Sequence, residues 1–225
     1  MADNIKKSEI WGAAILFGLH SMLFPALIGI IYIRFPDFVS NAQLNFVYYC
    51  TSTVLAFVLL GKFLRRSFDT LCDNLFGAVI ALGLGWMLYM VLNVAVTYLV
   101  LALGIDTEVN NDMLIEMAGE DRGKIVALCV FLSPIVEECI FRAGLFGGIY
   151  RKNRIAAYAI SIAAFSLYHV WQYAAAYGDL SYLLIGIAYI PASFVLCWVY
   201  ERSGSVWVSI FFHMAYNFYA VSVMM

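Results

Sequence analysis

Leu75-Phe-Gly-Ala-Val-Ile-Ala-Leu-Gly-Leu-Gly-Trp-Met-Leu-Tyr-Met-Val-Leu-Asn-Val-Ala-Val-Thr-Tyr-Leu-Val-Leu-Ala-Leu103 contains no acidic or basic side chain. It is longer than the roughly 20 apolar residues a helix needs to cross a bilayer. Working outward, similar apolar runs occupy about 10–33, 44–61, 125–150, 155–174, 182–200 and 206–225. Of the 225 residues 64% are hydrophobic and only 12% charged, with a mean hydropathy of +0.87. Such a chain has no polar shell with which to cover a core, which excludes a soluble globular domain, a disordered chain and a secreted disulfide scaffold. The reading is an all-α polytopic membrane bundle of about seven transmembrane helices, a single membrane domain over 1–225. The longest connection, 104–124, is acidic (Asp106, Glu108, Asp112, Glu116, Glu120, Asp121) and is expected to hold a short surface helix.

A net charge of -2 leaves no basic footprint for nucleic acid. Cys50, Cys72, Cys129, Cys139 and Cys197 are scattered without a C-x-x-C pair, so they read as small hydrophobes. The polar start, Met1 to Glu9, precedes an apolar run too long for a signal-peptide core and reads as leading into a retained first span. With the N-terminus inside, Lys6, Lys7, Lys62, Arg65, Arg66, Arg151, Lys152, Arg154 and Arg202 fall on the cytosolic side. Only Arg34, Arg122 and Lys124 fall on the other, and this asymmetry sets the orientation.

One span carries charges that membrane depth normally forbids: Ser133-Pro134-Ile135-Val136-Glu137-Glu138-Cys139-Ile140-Phe141-Arg142. Glu138 and Arg142 stand at i,i+4 on one helical face and are expected to pair. Glu137 lies about 100° round the helix and points elsewhere. Pro134 removes a backbone donor one turn earlier, which suits a kinked helix lining a cavity. The alternative is that the three charges merely pin helix packing.

His169 follows Phe165 by one turn in the fifth span, and His213 precedes Asn217 by one turn in the seventh. His20, with only Ser21 beside it, reads as a core histidine. Two chemistries fit the set. Glu137, His169 and His213 could form a two-histidine, one-carboxylate metal site, although no H-E-x-x-H is present. Without a metal, Glu137 in a low-dielectric pocket serves as general base toward water, a histidine positions that water, and a second histidine and an amide stabilise the oxyanion. Ser133 and Ser166 are weaker, nucleophile candidates. Gly144, Gly147, Gly148, Gly83 and Gly85 are expected at close helix contacts. Pro25 and Pro191 read as kinks, the tyrosines and tryptophans near span ends as an aromatic belt, and Glu201 with Arg202 as a solvated turn.

Glu137-Glu138-x-x-x-Arg142, Phe165-x-x-x-His169 and His213-x-x-x-Asn217, in that order on separate spans, resemble the CAAX protease and bacteriocin-processing family of intramembrane endopeptidases. The resemblance covers about 125–220, the catalytic core, while 1–124 match only as apolar spans. It implies a helical fold around a water-accessible polar cavity. It also implies Glu137 as general base, His169 as the water-positioning partner, His213 and Asn217 as the oxyanion site, and Glu138 with Arg142 as a supporting ion pair, with Phe165 as motif packing. The expected function is metal-independent hydrolysis, without a cofactor, of a peptide bond in a membrane-associated peptide or protein, such as a prenylated CAAX or leader-bearing one. A prokaryotic plasma-membrane location is expected. The alternatives are a non-enzymatic membrane regulator or bacteriocin-immunity protein, and a proton-coupled transporter.

Overall fold

The computed structural model describes residues 5–35, 40–107 and 109–224. The start Met1–Asn4, Glu108 and the side chain of Asp112 lie outside the described residues. The helices are α1 (Lys7–Arg34), α2 (Asn41–Asp73), α3 (Leu75–Ala102), α4 (Val109–Ala127), α5 (128–150), α6 (Arg154–Tyr177), α7 (Leu180–Ser203) and α8 (Val206–Met224). No strand occurs among the described residues, as an all-α membrane bundle requires.

The largest boundary difference is α2, which runs well beyond the expected 44–61. The Ser40 side chain accepts from Gln43 N at 3.1 Å and starts it. Past residue 61, Lys62, Arg65, Arg66, Asp69 and Asp73 recur at helical spacing on one face, while Phe63, Leu64, Ser67 and Leu71 are buried on the other. The charges that suggested a loop are the outer face of an amphipathic extension. The acidic connection does hold a helix, α4, and Glu120 Oε2 accepts from Ala42 N at 2.7 Å to cap α2.

Five helices among the described residues are long and apolar enough to cross a membrane: α1, α2, α3, α7 and α8. The expectation of about seven also counted α5 and α6. Those two carry the polar residues, and α5 is enclosed by α1, α2, α6, α7 and α8. Between 136 and 147 every residue but Leu145 is buried, so this helix meets protein where the others meet lipid.

Two glycines allow helices to approach closely. A Cβ on Gly144 would stand 2.4 Å from Ala13 Cβ, and one on Gly85 2.6 Å from Val199 Cγ2. Gly83, by contrast, faces open space. Glu201 is not in a solvated turn. Its carboxylate accepts from Arg154 Nε (2.6 Å) and Nη2 (3.0 Å), Tyr150 (2.6 Å) and Tyr158 (2.5 Å), tying together the ends of α5, α6 and α7.

Candidate active site

The path into α5 is set by local chemistry. Asp121 breaks α4 at φ -158°, ψ 90°, and its Oδ1 accepts from Lys124 N at 3.0 Å to start the next helical segment. The Lys124 ammonium, hydrogen-bonded to it, holds the Asp121 carboxyl below its ordinary range. Beyond this point Leu128–Leu132 and Glu138–Phe146 adopt wide i→i+5 turns on either side of Ser133–Glu137. Pro134 lies in the first turn of that middle segment and has no N–H to continue the preceding ladder. The expected kink is therefore a widening of the helix, of the kind that often marks functional sites.

Adjacent carboxylates on this helix have different surroundings. Glu138 and Arg142 are fully buried and paired, Nη1 to Oε1 at 3.3 Å, as their spacing predicts. Glu138 Oε1 also takes His213 Nδ1 at 2.9 Å, and Oε2 takes Ser209 Oγ at 2.6 Å. Arg142 Nη2 donates to Ser193 Oγ at 3.2 Å, and the guanidinium lies 4.2 Å from the centre of the Phe165 ring. Phe165 thus bridges the ion pair to the histidines, with ring centroids 4.4 Å from His169 and 5.9 Å from His213.

Glu137, 3% exposed, accepts from Ser133 through Oε1. Its Oε2 has no hydrogen-bond partner among the described residues. This oxygen lies 3.7 Å from His169 Nε2 and 3.9 Å from His213 Nε2, beyond direct hydrogen-bond length. His169 Nδ1 is 2.9 Å from the Phe165 carbonyl, which only accepts, so Nδ1 carries the proton and Nε2 of the neutral ring is an acceptor. His213 Nδ1 is likewise committed, to Glu138, which aims Nε2 at Glu137. Asn217 Nδ2 donates to the Cys129 carbonyl at 2.8 Å and ties α8 to the first wide turn of α5.

These groups line one side of a cavity of about 370 Å³, together with Gln172 and the tyrosines at 49, 168, 173, 189 and 216. The structure brings Glu137, His169, His213, Asn217 and Phe165 to this cavity and puts Glu138 and Arg142 behind it. These tyrosines wall the cavity, and Tyr189 and Tyr216 lie in the middle of their spans, away from the span ends where an aromatic belt is expected. Tyr168 sits next to His169 in the chain, a proximity that could have flagged it. Ser209 and Ser193 leave no comparable signal, because they reach the ion pair only through tertiary packing. Ser133 serves Glu137 as a donor, which weighs against a nucleophile's role. All five cysteines are free. No group of three or more His, Cys, Asp or Glu side chains arranged to hold a metal ion occurs among the described residues.

A helical membrane protein with a carboxylate–histidine centre buried at the floor of a polar cavity is the class that fold and site define. Residues 124–219 match the family described as "Type II CAAX prenyl endopeptidase Rce1-like". It is 30% identical over 132 residues to "Putative membrane peptidase YdiL" of Bacillus subtilis, covering 56% of this chain and 47% of that protein. It is 28% identical over 144 residues to "UPF0177 protein YxdF" of Lactococcus lactis, covering 61% of this chain and 75% of that one. The chain thus spans about half the length of the first relative. No solved structure matches it significantly.

Proposed function

We propose that this protein is an intramembrane endopeptidase that uses Glu137 to activate water. The observation that carries the reading is Glu137 Oε2, buried and facing two imidazole nitrogens at 3.7 and 3.9 Å across the cavity floor. An ionised Oε2 and the unprotonated His169 Nε2 are both acceptors, so the molecule that satisfies them must donate twice, as water does. Glu137 takes one proton from that water as its oxygen attacks the scissile carbonyl carbon. A C–O bond forms, the carbonyl π bond breaks, and the oxyanion develops toward His213 and Asn217. Collapse breaks the C–N bond, and the proton held on Glu137 passes to the leaving amine. Glu138, held by Arg142 and Ser209, accepts from His213 Nδ1 and so fixes the ring's orientation.

In this reading residues 125–220 carry the chemistry and the earlier helices hold them in the bilayer. The substrate is a membrane-associated peptide or protein, prenylated or leader-bearing, and no cofactor is required. The excess of Lys and Arg on one side supports a cytosolic N-terminus, and the match to two bacterial proteins supports a prokaryotic plasma membrane.

The test is peptide cleavage in lipid nanodiscs, with prenylated, unmodified and leader-bearing peptides offered to wild type and Glu137→Gln and the products read by mass spectrometry. Cleavage by wild type alone is expected. Equal cleavage by both removes Glu137 from the mechanism, and inhibition by a chelator that added zinc reverses would move the reading to a metal.

A further inference from the structure

The cavity that holds Glu137 occupies one end of the bundle, and hydrogen bonds between helices identify that end. At the opposite end, Arg66 of α2 donates to Glu9 of α1 at 2.7 Å. Ser67 of α2 accepts from Val206 N at the start of α8 (2.8 Å), and Ser205 Oγ donates to the Ser67 carbonyl (2.6 Å). Glu201 joins the turn between α5 and α6 to the end of α7. This end carries Lys6, Lys7, Lys62, Arg65, Arg66, Arg151, Lys152, Arg154 and Arg202. The cavity end is tied together by Glu120 on Ala42 N at the start of α2 (2.7 Å) and by Asn217 on the Cys129 carbonyl at the start of α5 (2.8 Å).

The lining residues fall toward that second end. Tyr49 comes from the first third of α2, Cys129 from the first turn of α5, Gln172 and Tyr173 from the last turns of α6, and Val221 from the last turn of α8. Thr107, just before α4, also lines the cavity. Exposure rises in the same direction along α6, from buried Phe165 through His169, whose side chain is 20% exposed, to exposed Gln172. The other direction is closed. Between Glu137 and the basic end, Cys139, Ala143, Phe146, Leu196, Val199 and Tyr200 are at most 1% exposed. Glu137 is about 12 Å of helix rise inward from Cys129, so about four extended residues carry a scissile bond from the mouth to the floor.

Lys and Arg in short connections mark the cytosolic face of a membrane protein. Nine of them mark the closed end, and only Arg34, Arg122 and Lys124 the open one. We propose that the site is entered from the extracytosolic side, and that its substrate is the leader-bearing kind, an exported precursor whose scissile bond is presented at the outer face of the membrane. A prenylated tail anchored in the cytosolic leaflet would meet the closed end instead. The substrate class rests on the peptidase reading of this site and on the cytosolic N-terminus; the side of entry rests on the orientation alone.

The test uses the full chain in bacterial spheroplasts. Cys72, exposed near the basic end of α2, is a reporter that needs no substitution. A membrane-impermeant maleimide is expected to leave Cys72 unmodified in intact spheroplasts and to add to it after permeabilisation, read as the mass of its tryptic peptide. Gln172→Cys, at the mouth, is expected to react before permeabilisation, and Thr107→Cys repeats that arm if Gln172→Cys does not fold. Modification of Cys72 in intact spheroplasts, or of the mouth cysteine only after permeabilisation, overturns the proposal. Cleavage gives a second readout, with right-side-out and inverted vesicles from the same cells and Glu137→Gln as the blank. A leader-bearing peptide added outside is expected to be cut by right-side-out vesicles, and by inverted ones only once they are permeabilised. Cutting by sealed inverted vesicles overturns the side of entry, and cutting of a prenylated peptide in its place overturns the substrate class. The expected labelling with no peptide cut supports the side of entry and counts against the peptidase reading alone.

Discussion

Glu137 and Glu138 are neighbours in sequence, on one helix and at one depth, and the regions they face differ in how fully each carboxylate is satisfied. Behind α5, both oxygens of Glu138 are engaged, by Arg142, His213 and Ser209. Toward the cavity, Glu137 has, among the described residues, one donor on Oε1 and no hydrogen-bond partner on Oε2. The pocket that engages both Glu138 oxygens anchors the helix on which its neighbour faces the cavity. In the proposed mechanism structural and chemical duties are divided between two consecutive residues, and His213, bonded to one carboxylate and aimed at the other, links them.

The contrast can be broken most directly with Glu137→Gln, expected to lower peptide turnover by about 10²–10⁴-fold while thermal unfolding stays close to wild type. A stability loss as large as that of an Arg142 variant would mean that Glu137, too, is structural. Asn217→Ala should cost about 10²–10³-fold in kcat if the amide meets the oxyanion. A change confined to stability would reduce it to its tie with the Cys129 carbonyl. On the other side of α5, Arg142→Ala strands Glu138 and should destabilise by about 3–5 kcal/mol, read by denaturation in detergent. Arg142→Lys should fall between, because an ammonium keeps the charge but cannot reproduce the guanidinium fork. Gly144→Val should cost about 1–3 kcal/mol through overpacking against Ala13, with Ala13→Gly restoring part of it. Glu201→Gln, at the rim of the bundle, should have the smallest effect: a slight loss of thermal stability with turnover unchanged.

The sequence made the charged face of α5 legible because a local rule covers it. The i,i+4 spacing of Glu138 and Arg142 and the offset of Glu137 follow from helix geometry alone, and the ion pair stands where that geometry puts it. His169 and His213 were legible only as a set, since their meeting with Glu137 depends on how α6 and α8 pack on α5. The cavity tyrosines were not singled out in the sequence, because only the packing of neighbouring helices turns an aromatic side chain toward a cavity. His20 was read as a core residue, which its burial supports, but its partners Ser52 and Tyr168 lie on other helices. The extension of α2 was missed for a different reason. A half-buried helix beyond the membrane reads as polar in any hydropathy window, and only the spacing of Phe63, Leu64, Ser67 and Leu71 reveals it.

The wide turns of α5 make the site sensitive to chain length as well as to side-chain identity. A stretch bonded i→i+5 has one more residue per hydrogen-bonded ring than an α-helix of the same path. Glu138 through Phe146 is such a stretch, and it carries both members of the ion pair. Deleting Cys139 or Ile140 would let the helix rewind to ordinary pitch and leave Arg142 at i,i+3 from Glu138. That would change no side chain of the pair and still shift it against Ser193, Ser209 and His213, which other helices hold in place. Insertions and deletions in this segment should therefore be tolerated far less well than conservative replacements of the same apolar residues.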